Sequence, residues 1–300
     1  RFTLTTTDAT CTLPSVGEAR GMSFRVELIS TTSATLAIQD KAGDAHMSDI
    51  HLGVAGYADF YSNGTTWIVQ YDNEKKYSVE IFDDFTEQLT EAASPWILNS
   101  GTDAQAIDPA INAQTGGVIR VTTGNADGTT AADGSQLAGS QPWYAQDGGL
   151  FMECRLKCVT NIATMSICVG FTDSTALEEP FTNSADTITS TASDAACFVY
   201  DTDATTDEWW AAAVDGDTDD TGNATTGTAP AITYQTLRIE VSKDGATIKF
   251  YINGSLVKTL SGAAGVSPDV ALYPTVIACA TTTTSKSVDV DYIRVGSARQ

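Results

Sequence analysis

Residues 236–260 read TLRIEVSKDGATIKFYINGSLVKTL, three β-branched and aromatic runs joined by two tight turns. Asn253-Gly254 is a two-residue hairpin turn, because a type I′ turn needs positive φ at both central positions and Asn and Gly adopt it at little cost. Lys243-Asp244-Gly245 supplies the other turn. A chain that reverses twice in so short a span is committed to antiparallel β-structure. The stretch 148–160, GGLFMECRLKCVT, agrees. Leu150, Met152, Cys154, Leu156 and Cys158 fall on one face, and Glu153, Arg155 and Lys157 on the other, the period of a half-buried strand.

The same signals recur along the chain. GGVIRVTTG (116–124), ATMSICVGF (163–171), ACFVYD (196–201), EWWAAAV (208–214), VALYPTVIACA (270–280) and SVDVDYIRVG (287–296) all read as strands. About ten short strands with such turns predict an antiparallel sandwich or jelly roll. The first 80 residues predict a separate small β-domain. There MSFRVELIS puts Met22, Phe24, Val26 and Leu28 on one face, ATLAIQD alternates, and Asn63-Gly64 separates two aromatic runs as a type I′ hairpin. Residues 73–115 shift to polar, turn-rich composition, with a helical turn or two in FDDFTEQLTEAASPW ended before Pro95. The expected division is therefore 1–80 for an oligomerising or anchoring domain and 81–300 for the jelly roll. The chain is expected to be all-β.

Charge narrows function. Sixteen Lys and Arg against 38 Asp and Glu give a net charge of −22, and 27 of the acids are Asp, a loop former, against 11 Glu. Such a surface repels phosphate backbones and anionic leaflets, which argues against nucleic-acid and membrane partners. No apolar run approaches the roughly 18 residues of a membrane-spanning helix. The first residues, RFTLTTTDATCTLP, lack the basic and apolar regions of a signal peptide, so the chain is expected to be processed or part of something longer.

The six cysteines have no CxxC spacing, which removes zinc-ribbon and thioredoxin readings. Cys154 and Cys158 are four strand steps apart, about 13 Å, whereas a disulfide needs Cα atoms within roughly 7 Å. Most of the cysteines lie in apolar runs and are expected to be small buried hydrophobes, reduced, as suits assembly in a cytoplasm.

TLRIEVSKDGATIKFYING followed by SVDVDYIRVG resembles the concanavalin A-like jelly roll of lectins, laminin G-like domains and endo-glucanases. FDDFT, PWYAQDGGLFMECRLK and CVGFTDS resemble the version carried by structural proteins of tailed phages, over most of residues 82–297. In the first half, TTDATCTLPS, SATLAIQD and FYSNGTTWIVQ resemble the small β-domain of phage tail fibres and decoration proteins. The resemblance implies a homotrimer on a virion surface, assembled in the host cytoplasm and attached to the major capsid protein or another virion protein. Fold alone does not give function.

The glucanase branch uses a strand of pattern E-x-D-x-x-E, whose outer carboxylates stand about 5 Å apart in a retaining reaction. No Glu here has a partner at that spacing with the middle Asp in place, so the catalytic residues do not carry over and no catalytic site is expected. Glu178-Glu179 before Pro180 reads as a solvated loop pair. A nucleophilic triad needs a His base. The two histidines, His46 and His51, sit in DAHMSDIH with Asp44 and Asp49, but five residues apart they point to opposite faces of a straight strand. No metal is expected there.

The most acidic segment, 201–223, carries seven Asp and Glu208 within residues 201–220 and no Lys or Arg. Asp215, Asp217 and Asp219 are the candidate calcium ligands, since hard oxygen donors suit that ion. The segment lacks the sixth-position Gly and twelfth-position Glu of an EF-hand, so a solvated acidic loop is preferred and no cofactor is assigned. Trp209 and Trp210 are adjacent, so a strand turns one ring inward and the other outward. Trp209, Trp210 and Tyr200 are the candidate contacts for a glycan or a partner subunit. Two readings compete: a non-enzymatic virion structural protein of the decoration or fibre type, and a lectin-like module that attaches to a host-surface glycan.

Overall fold

The computed structural model describes residues 2–4, 8–14, 18–28, 34–39, 50–52, 57–62, 67–72, 77–85, 95–103, 108–109, 117–126, 129–220, 222–261 and 265–299. The chain divides into two compact units, Arg1–Tyr77 and Ser78–Gln300. The sequence placed the boundary three residues later.

The first unit is built from Phe2–Leu4 (β1), Asp8–Thr12 (β2), Ser23–Leu28 (β3), Ala34–Gln39 (β4), Ile50–Leu52 (β5), Tyr57–Ser62 (β6) and Trp67–Asp72 (β7). They form a four-stranded sheet in the order β1-β3-β6-β7 and a three-stranded sheet in the order β2-β4-β5. β6 and β7 pair antiparallel with Ser62 opposite Trp67, while Asn63-Gly64 lies outside the described residues. β1 pairs with β3, and β2 with β4, in parallel, which hairpin logic does not anticipate. Val26 and Phe60 are buried, and the Phe24 and Phe60 rings stack at 5.0 Å. Met22, expected to share the inner face with them, precedes the strand and is 57% exposed.

The strands of the second unit open with Tyr77–Asp83 (β8), Trp96–Ser100 (β9), Asp108–Pro109 (β10), Ile119–Thr122 (β11), Ser135–Gly139 (β12) and Leu150–Cys158 (β13). Met165–Thr172 (β14), Phe181–Ser184 (β15), Thr187–Ser190 (β16), Ala195–Asp201 (β17), Trp210–Asp215 (β18), Thr218–Asp219 (β19) and Ala224–Thr225 (β20) follow. Gln235–Val241 (β21), Thr247–Ile252 (β22), Ser255–Ser261 (β23), Tyr273–Ala280 (β24) and Ser287–Arg299 (β25) complete it. β8 to β10 fall inside the stretch read as loop-rich. The helical turn or two expected within residues 82–96 has its middle, 86–94, outside the described residues.

Two eight-stranded sheets result. The back sheet runs β10-β11-β25-β13-β21-β22-β23, with β8 also on β25. The front sheet runs β19-β18-β17-β14-β24-β12-β9, with β20 also on β18. Between them lies one apolar core, including Met152, Cys154, Ile167, Phe171, Phe198, Tyr200, Trp209, Phe250 and Ile293. Asn253 at φ 51° and Gly254 at φ 79° make the expected turn, and Gly245 at φ 72° makes the other.

The two sheets differ in their second faces. Along β13 buried and half-buried residues alternate, so the back sheet shows its outer face to solvent. β14 and β17 are buried at every residue, so something covers the outer face of the front sheet. Their sequences, MSICVGFT and AACFVYD, are the near-continuous apolar runs that burial on both faces demands.

Candidate functional site

The cover is the chain itself. Residues 173–194 cross the outer face of the front sheet as a strap that includes the β15–β16 hairpin. Phe181, Ala192, Leu177 and Ile188 join Cys168, Cys197, Val199, Trp210, Val214 and Ile277 in a second apolar cluster, separate from the main core. Phe181 faces the sheet because its strand alternates buried and exposed residues, with Asn183 the next inward position.

One end of this covered face is polar. Ser166 on β14 and Asp201 on β17 are opposite one another in the ladder. Glu179, from the strap, accepts hydrogen bonds from the Ser166 and Thr130 hydroxyls. Asp201 accepts from the backbone N–H of Asp203 at 2.9 Å and of Asn183 at 3.1 Å. Burial pushes the Glu179 carboxyl above the usual carboxylate range, against the two hydroxyl donors, and the nearby Asp201 charge adds to the rise. Burial likewise raises Asp201, opposed by the two backbone donors. Two carboxyls with raised pKa on one sheet face have the composition of an acid–base pair. Here they fasten the strap: its own Glu179 reaches Ser166 and Thr130, and Asp201 of the sheet holds the backbone N–H of its Asn183.

Glu179 is therefore a correction: it is not part of a solvated loop pair. The signal was its neighbour, since Phe181 two residues on is an isolated large apolar side chain that must find a core and draws Glu179 in with it. Asn183 is fully buried, and neither its Nδ2 nor its Oδ1 has a hydrogen-bond partner, a cost of about 1–3 kcal/mol per unmet group.

The expected aromatic platform is also corrected. Trp209 and Trp210 do point to opposite faces, one into each apolar cluster. Both faces are covered, so Trp209 and Tyr200 are 0% exposed and Trp210 is 8%. Trp209 Nε1 donates to Gln235 Oε1 at 3.3 Å, and Tyr200 Oη donates to the Ile162 carbonyl at 2.7 Å. Both rings are held as core.

The acids of 215–219 are dispersed. Asp215 accepts from Ser267 Oγ at 2.5 Å and Asp217 from Ser193 Oγ at 2.7 Å, so each fastens a different loop. Asp219 Oδ1 is buried without a partner. Among the described residues no group of three or more His, Cys, Asp and Glu is placed to hold a metal ion. Asp44, His46 and Asp49 lie outside the described residues; His51 stands in β5, opposite Thr35. Five cysteines are buried free thiols, with Cys11 outside those whose burial is described. Burial pushes the thiols of Cys158 and Cys279 up to about 12.

No family model matches the chain, and no curated protein matches its sequence. Solved structures do match. A structure from work on the endo-acting O-glycanases with which human gut bacteria initiate mucin breakdown is 8% identical. It covers 72% of this chain and 97% of its own, with a TM-score of 0.50. The β-glucanase of Bacillus licheniformis is 13% identical over 73% of this chain and 98% of its own, with a TM-score of 0.49. The carbohydrate recognition domain of Emp47p is 11% identical over 75% and 96%, with a TM-score of 0.48. At such identities the likeness shows the fold alone. Together with the two sheets described above, it places the second unit in the class of concanavalin A-like jelly-roll sandwiches.

Proposed function

We propose that this chain is a non-enzymatic structural protein of a tailed-phage particle, a capsid decoration or fibre protein displayed on the virion surface. The observation that carries the reading is the strap. The outer face of the front sheet is filled by the chain's own Phe181, Leu177 and Ile188. The carboxyls on that face, Glu179 and Asp201, are engaged by hydroxyls and backbone N–H groups beneath it. A sandwich closed in this way serves as a rigid, acidic surface module. The phage resemblance of both halves of the sequence supports the setting. The partners this implies are two further copies, joined as a homotrimer through the first unit, and the major capsid protein or another virion protein as anchor.

Glycan attachment is the second reading, favoured by the sandwich class, which includes a structure from work on glycanases. With Trp209, Trp210 and Tyr200 buried, it requires a surface other than the one expected from sequence. Two measurements on the full chain separate the readings. Reducing-end release from mixed-linkage glucan, laminarin or mucin O-glycans, lost in Glu179→Gln, would overturn the non-enzymatic reading. Saturable binding on a glycan array would move the conclusion to attachment. Recovery of the chain in fixed stoichiometry with capsid protein from purified particles is the expected result.

A further inference from the structure

The outer face of the back sheet collects the cations of a strongly acidic molecule. Of the ten Lys and Arg between residues 78 and 300, six stand on it: Arg120, Arg155, Lys157, Arg238, Lys249 and Arg294. Six acids share it: Glu80, Glu153, Glu240, Asp289 and Asp291, with Asp108 at the register position opposite Arg120. This face is neutral by count, six bases against six acids, whereas the rest of the unit has 23 acids and four bases.

The charges alternate across the strands. Glu80 on β8 receives a two-pronged hydrogen bond from Arg294 on β25 at 2.6 and 3.0 Å. Arg294 stands opposite Glu153 on β13, which stands opposite Arg238 on β21. The row reads acid, base, acid, base. A second row holds Asp289 on β25 opposite Lys157 on β13. The basic groups are held in place by rings. Arg238 and Arg294 lie 4.9 and 5.2 Å from the Phe151 centroid, and Arg155 and Lys157 lie 4.4 and 4.7 Å from that of Tyr234. Stacking fixes a guanidinium in advance and lowers the entropic cost of using it in a contact.

An alternating row of four is self-complementary. A two-fold axis in the plane of the face, running between β25 and β13, lays Arg294 over Glu153 of a second copy and Glu80 over its Arg238. The same axis lays Arg155 over the ring of Tyr292, while Asp289, 1% exposed, stays paired with its own Arg120 and Lys157. The face is five strands wide and nine residues long, about 24 by 30 Å, or roughly 700 Å² per copy at usual strand spacings. A standard interface takes about 800 Å² from each partner. Elsewhere on the second unit the acidic surface repels a second copy.

We infer that this face is a two-fold contact between copies of the chain. The inference does not depend on the virion reading. A two-fold contact doubles whatever assembly the first unit sets, so mass doubling is the measurement, by sedimentation velocity of the full chain at low and high salt. Exposed ion pairs are individually weak. Doubling is therefore expected at micromolar concentrations, falling at high salt. Glu80→Arg alone sets Arg against Arg238 of the other copy, and Arg238→Glu alone sets Glu against Glu80; each should weaken doubling at least tenfold. An equimolar mixture of the two variants faces Arg with Glu at both contacts and should double within about threefold of the unaltered chain. A misfolded variant would not be rescued in this way. Absence of doubling at about 100 µM, failure of the mixture, or indifference to both substitutions would overturn the contact. Binding of polygalacturonate lost in Arg238→Glu, with no mass doubling, would also overturn it and assign the face to an acidic polymer.

Discussion

Phe181→Ala tests whether the strap is a separable layer. The ring is 1% exposed and belongs to the outer cluster rather than the core between the sheets. Truncating a buried Phe to Ala costs about 3–5 kcal/mol. The lower figure applies where neighbours can settle into the space, and here the strap's own partly buried Leu177 and Ile188 lie in the same cluster and can move toward it. A loss of about 3 kcal/mol corresponds to a rise of roughly a hundredfold in the open population, at about 1.4 kcal/mol per factor of ten. Because β15 and β16 pair only with each other, that loss should fall on strap opening before global unfolding. Hydrogen exchange resolved by mass spectrometry is the assay. Peptides covering 181–190 should lose about two orders of magnitude of protection, while β13 and β21 keep theirs. Phe198→Ala, in the main core, should instead lower protection throughout the sandwich. Equal losses everywhere in the Phe181 variant, or none in 181–190, would refute the idea that the front face is closed by an independent layer.

Glu179 has a raised pKa in the folded state, so its protonated form contributes stability that is fully present below its ordinary 4.5 and is lost as pH rises through the folded value. Glu179→Gln keeps the neutral form at every pH, so its urea midpoint should gain on that of the unaltered chain as pH is raised from about 4 to about 8. A gap that narrows with pH would contradict the burial of this carboxyl. Gly245→Ala should cost about 2–4 kcal/mol, since φ is 72° and a Cβ would meet the Val266 carbonyl oxygen at 2.0 Å. A loss under about 1 kcal/mol in chemical denaturation would show that the loop carrying Val266 moves freely. Cys154, Cys158, Cys168, Cys197 and Cys279 should resist iodoacetamide in the native chain and react once it is unfolded, because burial disfavours the thiolate. Peptide mapping reads this directly.

The legible parts of the fold were those set by local rules. Alternation along 150–158 and the turns at 243–245 and 253–254 gave strand, face and register together. The front sheet was legible as strands and illegible as a surface. Nothing local to ACFVYD or EWWAAAV states that residues 177–192 return to cover them, and the strap's own strands, FTNS and TITS, are too short and polar to announce a buried face. That one long-range contact moved Trp210 from a surface candidate to core and Glu179 from solvent to a buried hydroxyl-bound site. β9 was missed because WILNS follows a Pro and sits in polar surroundings. The parallel pairs in the first unit were missed because sequence turns report only antiparallel neighbours.

β25 is the last strand described and among the most deeply embedded in its sheet, paired along its length with β13 and at its two ends with β11 and β8. During synthesis the back sheet therefore waits. β13 emerges first, β21 can match one of its edges only once residues 235–241 follow, and the other edge stays bare until residues 287–299 arrive. A chain stalled before residue 287 would leave β13 with an open, apolar-backed sheet edge. The order of the strands thus makes the arrival of β25, rather than formation of any single hairpin, the event that closes the back sheet.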